Sequence, residues 1–100
     1  MSEFLYKIQP TRSEMLLKGP NSEEEELINL HYQYLKSLTS EGVIILAGRT
    51  TNTDSCSFGI VIFKAKNEEL ALEIMNHDPA IKNGIFKAEL FPFSVSLISK

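Results

Sequence analysis

The sequence predicts a small α+β domain whose elements run β-α-β-β-α-β. Three observations carry that reading. Two segments, 22–41 and 67–76, repeat apolar residues at helical spacing behind a capping residue. Four other segments are rich in aliphatic and aromatic residues and have the length of strands. Clusters of Gly, Pro, Asn and Asp punctuate the joins.

The first strand is Glu3–Gln9, with Phe, Leu, Tyr and Ile in imperfect alternation. Pro10 ends it, because proline cannot donate to a sheet ladder. Residues 11–21 read as a loop closed by Gly19-Pro20-Asn21, and its apolar Met15, Leu16 and Leu17 predict that it folds back onto the protein. The first helix is expected over 22–41. Ser22 followed by Glu25 matches a capping box. Glu23 to Glu26 place four negative charges at the positive end of the helix dipole, where a solvated face accounts for them. Leu27, His31, Tyr34, Leu35 and Leu38 form a stripe of 3.6-residue period that faces a core, and Gly42 is a natural C-terminal cap.

Val43–Gly48 and Phe58–Lys64 are the second and third strands, joined through the polar Arg49–Ser57 turn as an antiparallel hairpin. The second helix spans Asn67–Asn76, with Asn67 as N-cap and Leu70, Ala71, Ile74 and Met75 as the buried face. His77-Asp78-Pro79 breaks it. The last strand lies within Ile85–Leu97, and Pro92 marks a break or a sheet edge. Two helices on one face of an antiparallel sheet in this order make the ferredoxin-like arrangement.

One hundred residues suffice for one domain and leave no third layer. Yet Val43-Ile44-Ile45-Leu46 and Ile60-Val61-Ile62-Phe63 are apolar at every position, as in strands covered on both faces. A second copy of the same sheet is the simplest cover, so a homodimer is expected. The alternative is that residues 11–21 fold over the open face.

Charge and composition exclude several classes. The net charge is −3 and the ten basic residues are scattered, which argues against nucleic acid as a partner. The longest apolar runs, Val43–Ala47 and Gly59–Phe63, are far below the roughly 20 residues that cross a bilayer, so no membrane partner is expected. The opening MSEFLYKIQP lacks the regions of a secretory leader, and Cys56 alone cannot form an internal disulfide; both point to the cytoplasm. Only His31 and His77 could serve as imidazole ligands, and no phosphate-loop pattern occurs, so no metal and no cofactor are expected. Cys56 reads as an ordinary thiol in a turn, and Ser37 lacks a nucleophile-elbow context.

A set of short pieces in fixed order resembles the YCII-related proteins over nearly the whole chain. They are Pro10-Thr11-Arg12 after the first strand, His31-Tyr32-Gln33-Tyr34-Leu35 behind an acidic helix start, and Gly42-Val43-Ile44 with Ala47-Gly48. Phe58-Gly59-Ile60, Asp78-Pro79-Ala80 with Gly84, and Glu89 with Pro92-Phe93 complete the set. The resemblance implies a dimeric α+β barrel in which two ferredoxin-like sheets face each other. It implies an active site of His31 and Asp78, with Arg12 lining the same pocket. Some relatives act as a dehydrochlorinase in the breakdown of chlorinated aromatics. The chain departs from the pattern at Arg49, where a proline often follows the Ala-Gly of the second strand.

Read from the residues alone, His31 on an apolar helix face also fits a packed core histidine, and Asp78 before proline also fits a turn-holding role. Paired, Asp78 would fix the imidazole tautomer and leave the other ring nitrogen free for a substrate proton. Arg12 could bind a carboxylate or phenolate, or pair with the glutamates of the first helix. Tyr34 shares the stripe with His31 and could line the pocket. Three functions remain open: a cofactor-free acid/base enzyme acting by elimination, isomerisation or hydrolysis on a small anionic or aromatic substrate; a non-catalytic binding protein for the same ligand; or a structural or regulatory dimer.

Overall fold

The computed structural model describes residues 1–99. The elements are β1 (Ser2–Pro10), α1 (Glu14–Lys18), α2 (Ser22–Ser40), β2 (Ile44–Arg49), β3 (Gly59–Ala65), α3 (Glu68–Asn76), α4 (Pro79–Lys82) and β4 (Phe86–Phe93). The expected β-α-β-β-α-β order stands, with two short helices added to its connections. The strands form one antiparallel sheet in the order β2-β3-β1-β4. This is a small α+β domain compatible with the ferredoxin-like fold.

Both long helices pack on one face of the sheet. Phe4, Tyr6, Ile44, Val61 and Phe63 supply the sheet side of the core, and Leu35, Leu38, Ala71 and Met75 supply the helix side. Ring contacts tie Phe63 to Phe4 and Tyr6, with centroids 6.0 and 5.7 Å apart. A smaller cluster of Met15, Ala80 and Ile85, with Leu27, Ile28 and Phe86 against it, lies beneath α1. Met15 and Leu16 thus fold back onto the helix side of the sheet rather than over its open face, whereas Leu17 points to solvent.

Besides Leu70 of α3, expected on the buried face and 39% exposed, the local signals differ from expectation in three places. The capping box of α2 is one residue earlier: the Asn21 side chain accepts from the Glu24 amide at 2.8 Å, and Glu24 accepts from the Asn21 amide at 2.9 Å. Asn21 has the extended backbone of a cap, whereas Ser22 is already helical. Second, α1 was expected as loop; five residues with no side-chain cap carry too little periodicity to read. Third, β2 carries a bulge between Ile44 and Leu46. The extra residue sends Ile44 and Ala47 to the helix side and Leu46 to the open side, so the apolar run need not alternate.

Elsewhere the ends follow sequence chemistry. Helix α2 closes with Gly42 at φ +80°, where Gly42 and Val43 donate to the carbonyls of Thr39 and Leu38. Pro92 lies inside β4 opposite Phe4, which is tolerated because β4 is a sheet edge paired only with β1. No helix among the described residues is long and apolar enough to cross a membrane.

Candidate active site

Helix α2 presents its stripe to the sheet, and His31 lies in the middle of that stripe. Helix α3 ends at Asn76, and Asp78 then caps α4, accepting from the Ala80 amide at 3.1 Å with Pro79 at the first helical position. This turn carries the Asp78 side chain beneath α2. Its carboxylate is fully buried, and His31 Nδ1 is 2.7 Å from both of its oxygens. The structure therefore brings together the two residues that the resemblance paired.

A third residue completes the arrangement from below. Tyr6, on the helix side of β1, donates its hydroxyl to Asp78 Oδ2 at 2.8 Å. Burial, then the nearby Asp78 charge, pushes the Tyr6 phenol above its usual range and keeps it a donor. Asp78 Oδ2 accepts from Tyr6 and Oδ1 from the Ala80 amide. A carboxylate in this place favours the tautomer with the proton on Nδ1, which leaves the lone pair of a neutral imidazole on Nε2. The ring of Phe86 meets the imidazole edge-on at 5.3 Å and holds its plane.

Nε2 has no protein partner among the described residues, and it is not a buried orphan. His31 itself lines a cavity of about 800 Å³ between α2, α1 and the β2–β3 end of the sheet. The walls are mostly apolar, with Ile8, Met15, Leu16, Ile28 and Leu35 among them. The cavity is of the size that takes a small organic molecule. Gly59 forms part of its floor, where an added Cβ would come within 2.9 Å of Ile8 Cγ1.

The other two expected site residues lie elsewhere. Arg12 forms a forked ion pair with Glu24, Nε donating to Oε2 at 2.9 Å and Nη2 to Oε1, and it does not line the cavity. The pair with the helix glutamates, the other reading of Arg12 from sequence, is the one present. Hydrogen bonds from Arg12, and then from the Asn21 amide, lower the Glu24 carboxyl to about 2. Tyr34 donates to the Ile74 carbonyl at 2.6 Å and borders a separate hollow beside α3. Burial, and then Asp78, raise its phenol to about 12. Arg49, by contrast, does line the cavity, as does Lys36. Tyr6 and Phe86 had no sequence signal as site residues; a tyrosine on the buried face of a strand, which needs a hydrogen-bond partner, was the nearest hint.

A family model of the YCII-related domain matches residues 5–94. The chain belongs to the YCII-related family. Among solved structures, this YCII-related chain is similar to 5-chloro-2-hydroxyhydroquinone dehydrochlorinase (TftG) from Burkholderia phenoliruptrix AC1100, solved in complex with 2,5-dihydroxybenzoquinone. The TM-score is 0.63 at 17% identity, covering 91% of this chain and 93% of that one. At that identity the likeness is one of fold. No curated protein sequence matches this YCII-related chain.

Proposed function

We propose that the cavity is the active site of a cofactor-free enzyme in which His31 Nε2 exchanges a proton with a small aromatic or anionic substrate. The single observation that carries this reading is a buried carboxylate 2.7 Å from Nδ1 of a histidine that lines an apolar cavity, with its second ring nitrogen unpartnered. Asp78 orients His31 and stabilises the imidazolium formed when Nε2 takes the proton; Tyr6 and the Ala80 amide hold Asp78 in turn. Proton removal with departure of an anion from the neighbouring carbon is an elimination, and the dehydrochlorination named for the similar structure is one such reaction. Arg12, expected from the sequence at the substrate, is assigned the task of pinning α1 to α2 through Glu24, and Tyr34 that of joining α2 to α3. The working unit is a homodimer joined through the open faces of two sheets. The support for it is an apolar row, Phe91-Leu5-Ile62-Leu46, that crosses all four strands on that face.

The test is a panel of hydroxylated aromatics, 5-chloro-2-hydroxyhydroquinone included, followed by chloride release and by product absorbance. Turnover is expected to fall about 100-fold or more in His31→Gln, with the fold unchanged by circular dichroism. Turnover that survives His31→Gln overturns the reading. Saturable binding without product from any of the panel replaces the enzyme with a non-catalytic binding protein.

A further inference from the structure

We infer that the cavity selects an anionic aromatic ligand, whose acid group is received by Arg49 with Lys36 as a second cation at the rim; this rests on the reading of the cavity as a substrate site. The residues around the cavity include Lys36 and Arg49 and no Asp or Glu. That is an unexpected balance in a chain of net charge −3, where acidic residues outnumber basic ones. Neither cation is in an ion pair among the described residues, whereas Arg12 is fully engaged by Glu24. Asp78 stands behind the imidazole, with both oxygens already accepting, and does not face the ligand space.

The placement of Arg49 follows from the bulge in β2. After it, Arg49 pairs across the ladder with Gly59 on the helix side of the sheet, so the arginine extends beside a residue with no side chain. A guanidinium there can donate two parallel hydrogen bonds to a carboxylate or sulfonate. Phe86 lines the same space and offers ring surface to an aromatic body. A ligand held by its acid group at Arg49 is thereby presented to a cavity whose only imidazole is His31.

The experiment compares 2,5-dihydroxybenzoate with hydroquinone, the same ring without the carboxylate. Binding of each is followed by amide and side-chain chemical shifts in the native protein, Arg49→Gln, Arg49→Lys, Lys36→Gln and Lys87→Gln. Lys87 is an exposed residue of β4 away from the cavity, and its variant makes the same change in net charge. The anion is expected to bind the native protein about tenfold tighter than hydroquinone. Arg49→Gln is expected to remove that preference while leaving hydroquinone within about twofold; Lys36→Gln weakens the anion less, and Arg49→Lys keeps part of it. Equal affinities for the two probes in the native protein overturn the inference, as does an Arg49→Gln effect no larger than that of Lys87→Gln. If hydroquinone shifts the His31 and Phe86 signals and the anion has no advantage, the charge assignment alone falls. If neither probe moves them, the reading of the cavity as a substrate site falls with it.

Discussion

Tyr6 and Asp78, 72 positions apart, share a hydrogen bond of 2.8 Å in the interior of the protein, and the same carboxylate holds His31. Every group in this chain of contacts depends on the next. Tyr6→Phe removes one donor from a buried carboxylate and is expected to cost about 1.5–3 kcal/mol in urea unfolding. Asp78→Ala orphans the Tyr6 hydroxyl, His31 Nδ1 and the Ala80 amide together, and is expected to cost more, about 3–5 kcal/mol. A smaller loss in Asp78→Ala than in Tyr6→Phe would contradict the shared network. In nitrogen NMR of the ring, Asp78→Asn is expected to mix the His31 tautomers that the native carboxylate keeps as one.

The same tyrosine sets the alkaline limit of stability. Its folded phenol is held above the usual value near 10, first by burial and then by Asp78. The unfolded chain therefore gives up this proton first, and stability present below pH about 10 is lost as the pH rises further. In Tyr6→Phe the urea midpoint should fall less steeply above pH about 10 than in the native protein. The slope that remains belongs in part to Tyr34, raised to about 12. Equal slopes in the two proteins would remove Tyr6 from the account.

At the acid end the controlling pair is Arg12 and Glu24. The folded Glu24 carboxyl is lowered to about 2 from the usual 4.5. Its contribution is complete above pH about 4.5 and disappears as the pH falls toward about 2. Because Glu24 is also the third residue of the α2 capping box, its protonation weakens both the helix start and the link to Arg12. Glu24→Gln is expected to be less stable than the native protein at neutral pH and to converge on it by pH about 2. Early proteolytic cleavage near α1 in Glu24→Gln is the second measurement that checks the link.

Gly59 tests how tightly the cavity floor is packed. Its absent Cβ would meet Ile8 Cγ1 at 2.9 Å and Ile8 Cδ1 at 3.2 Å. Gly59→Ala is expected to cost about 1–3 kcal/mol by overpacking. Adding Ile8→Val should recover part of that loss, since the two side chains then share the space. Simple additivity of the two changes in urea unfolding would show that they do not touch.

How much of this was legible in the sequence can be read from particular residues. The order of the main elements follows from periodicity, because the stripe from Leu27 to Leu38 and the apolar runs around Ile44 and Val61 have lengths that suit only one element each. His31 and Asp78 were reached through the family resemblance, since nothing in local spacing joins positions 47 apart. Tyr6 was missed for the same physical reason: its partner is assigned by the sheet, not by the chain nearby. The capping box shifted by one residue because Asn21 and Ser22 are both good caps with a glutamate three positions on, and only the backbone decides between them. For Arg12, the sequence offered a substrate anion and, slightly ahead of it, an ion pair with a helix glutamate; the fold puts Glu24 within reach.

The open face of the sheet carries the last prediction. Cross-strand partners point to one side, so Phe91, Leu5, Ile62 and Leu46 form a continuous apolar row from β4 to β2. The rows beside it are partly charged, with Glu3 opposite Lys64 and Lys7 opposite Glu89. The ends of the row, Phe91 at 43% and Leu46 at 46%, are exposed in the single chain. They can therefore be changed at small cost to the monomer's own core. A two-fold contact uses each residue twice, so one substitution introduces two buried charges at the interface. The native protein is expected to sediment at twice the 11.3 kDa of the chain, and Leu46→Glu to shift it toward the monomer at the same concentration with its circular dichroism unchanged. Lys82→Glu, an exposed charge reversal at the end of α4 on the helix side of the sheet, should leave the dimer in place. A native protein that sediments as a monomer at concentrations near those in the cell ends the sheet-to-sheet assembly and leaves the row as an ordinary exposed face.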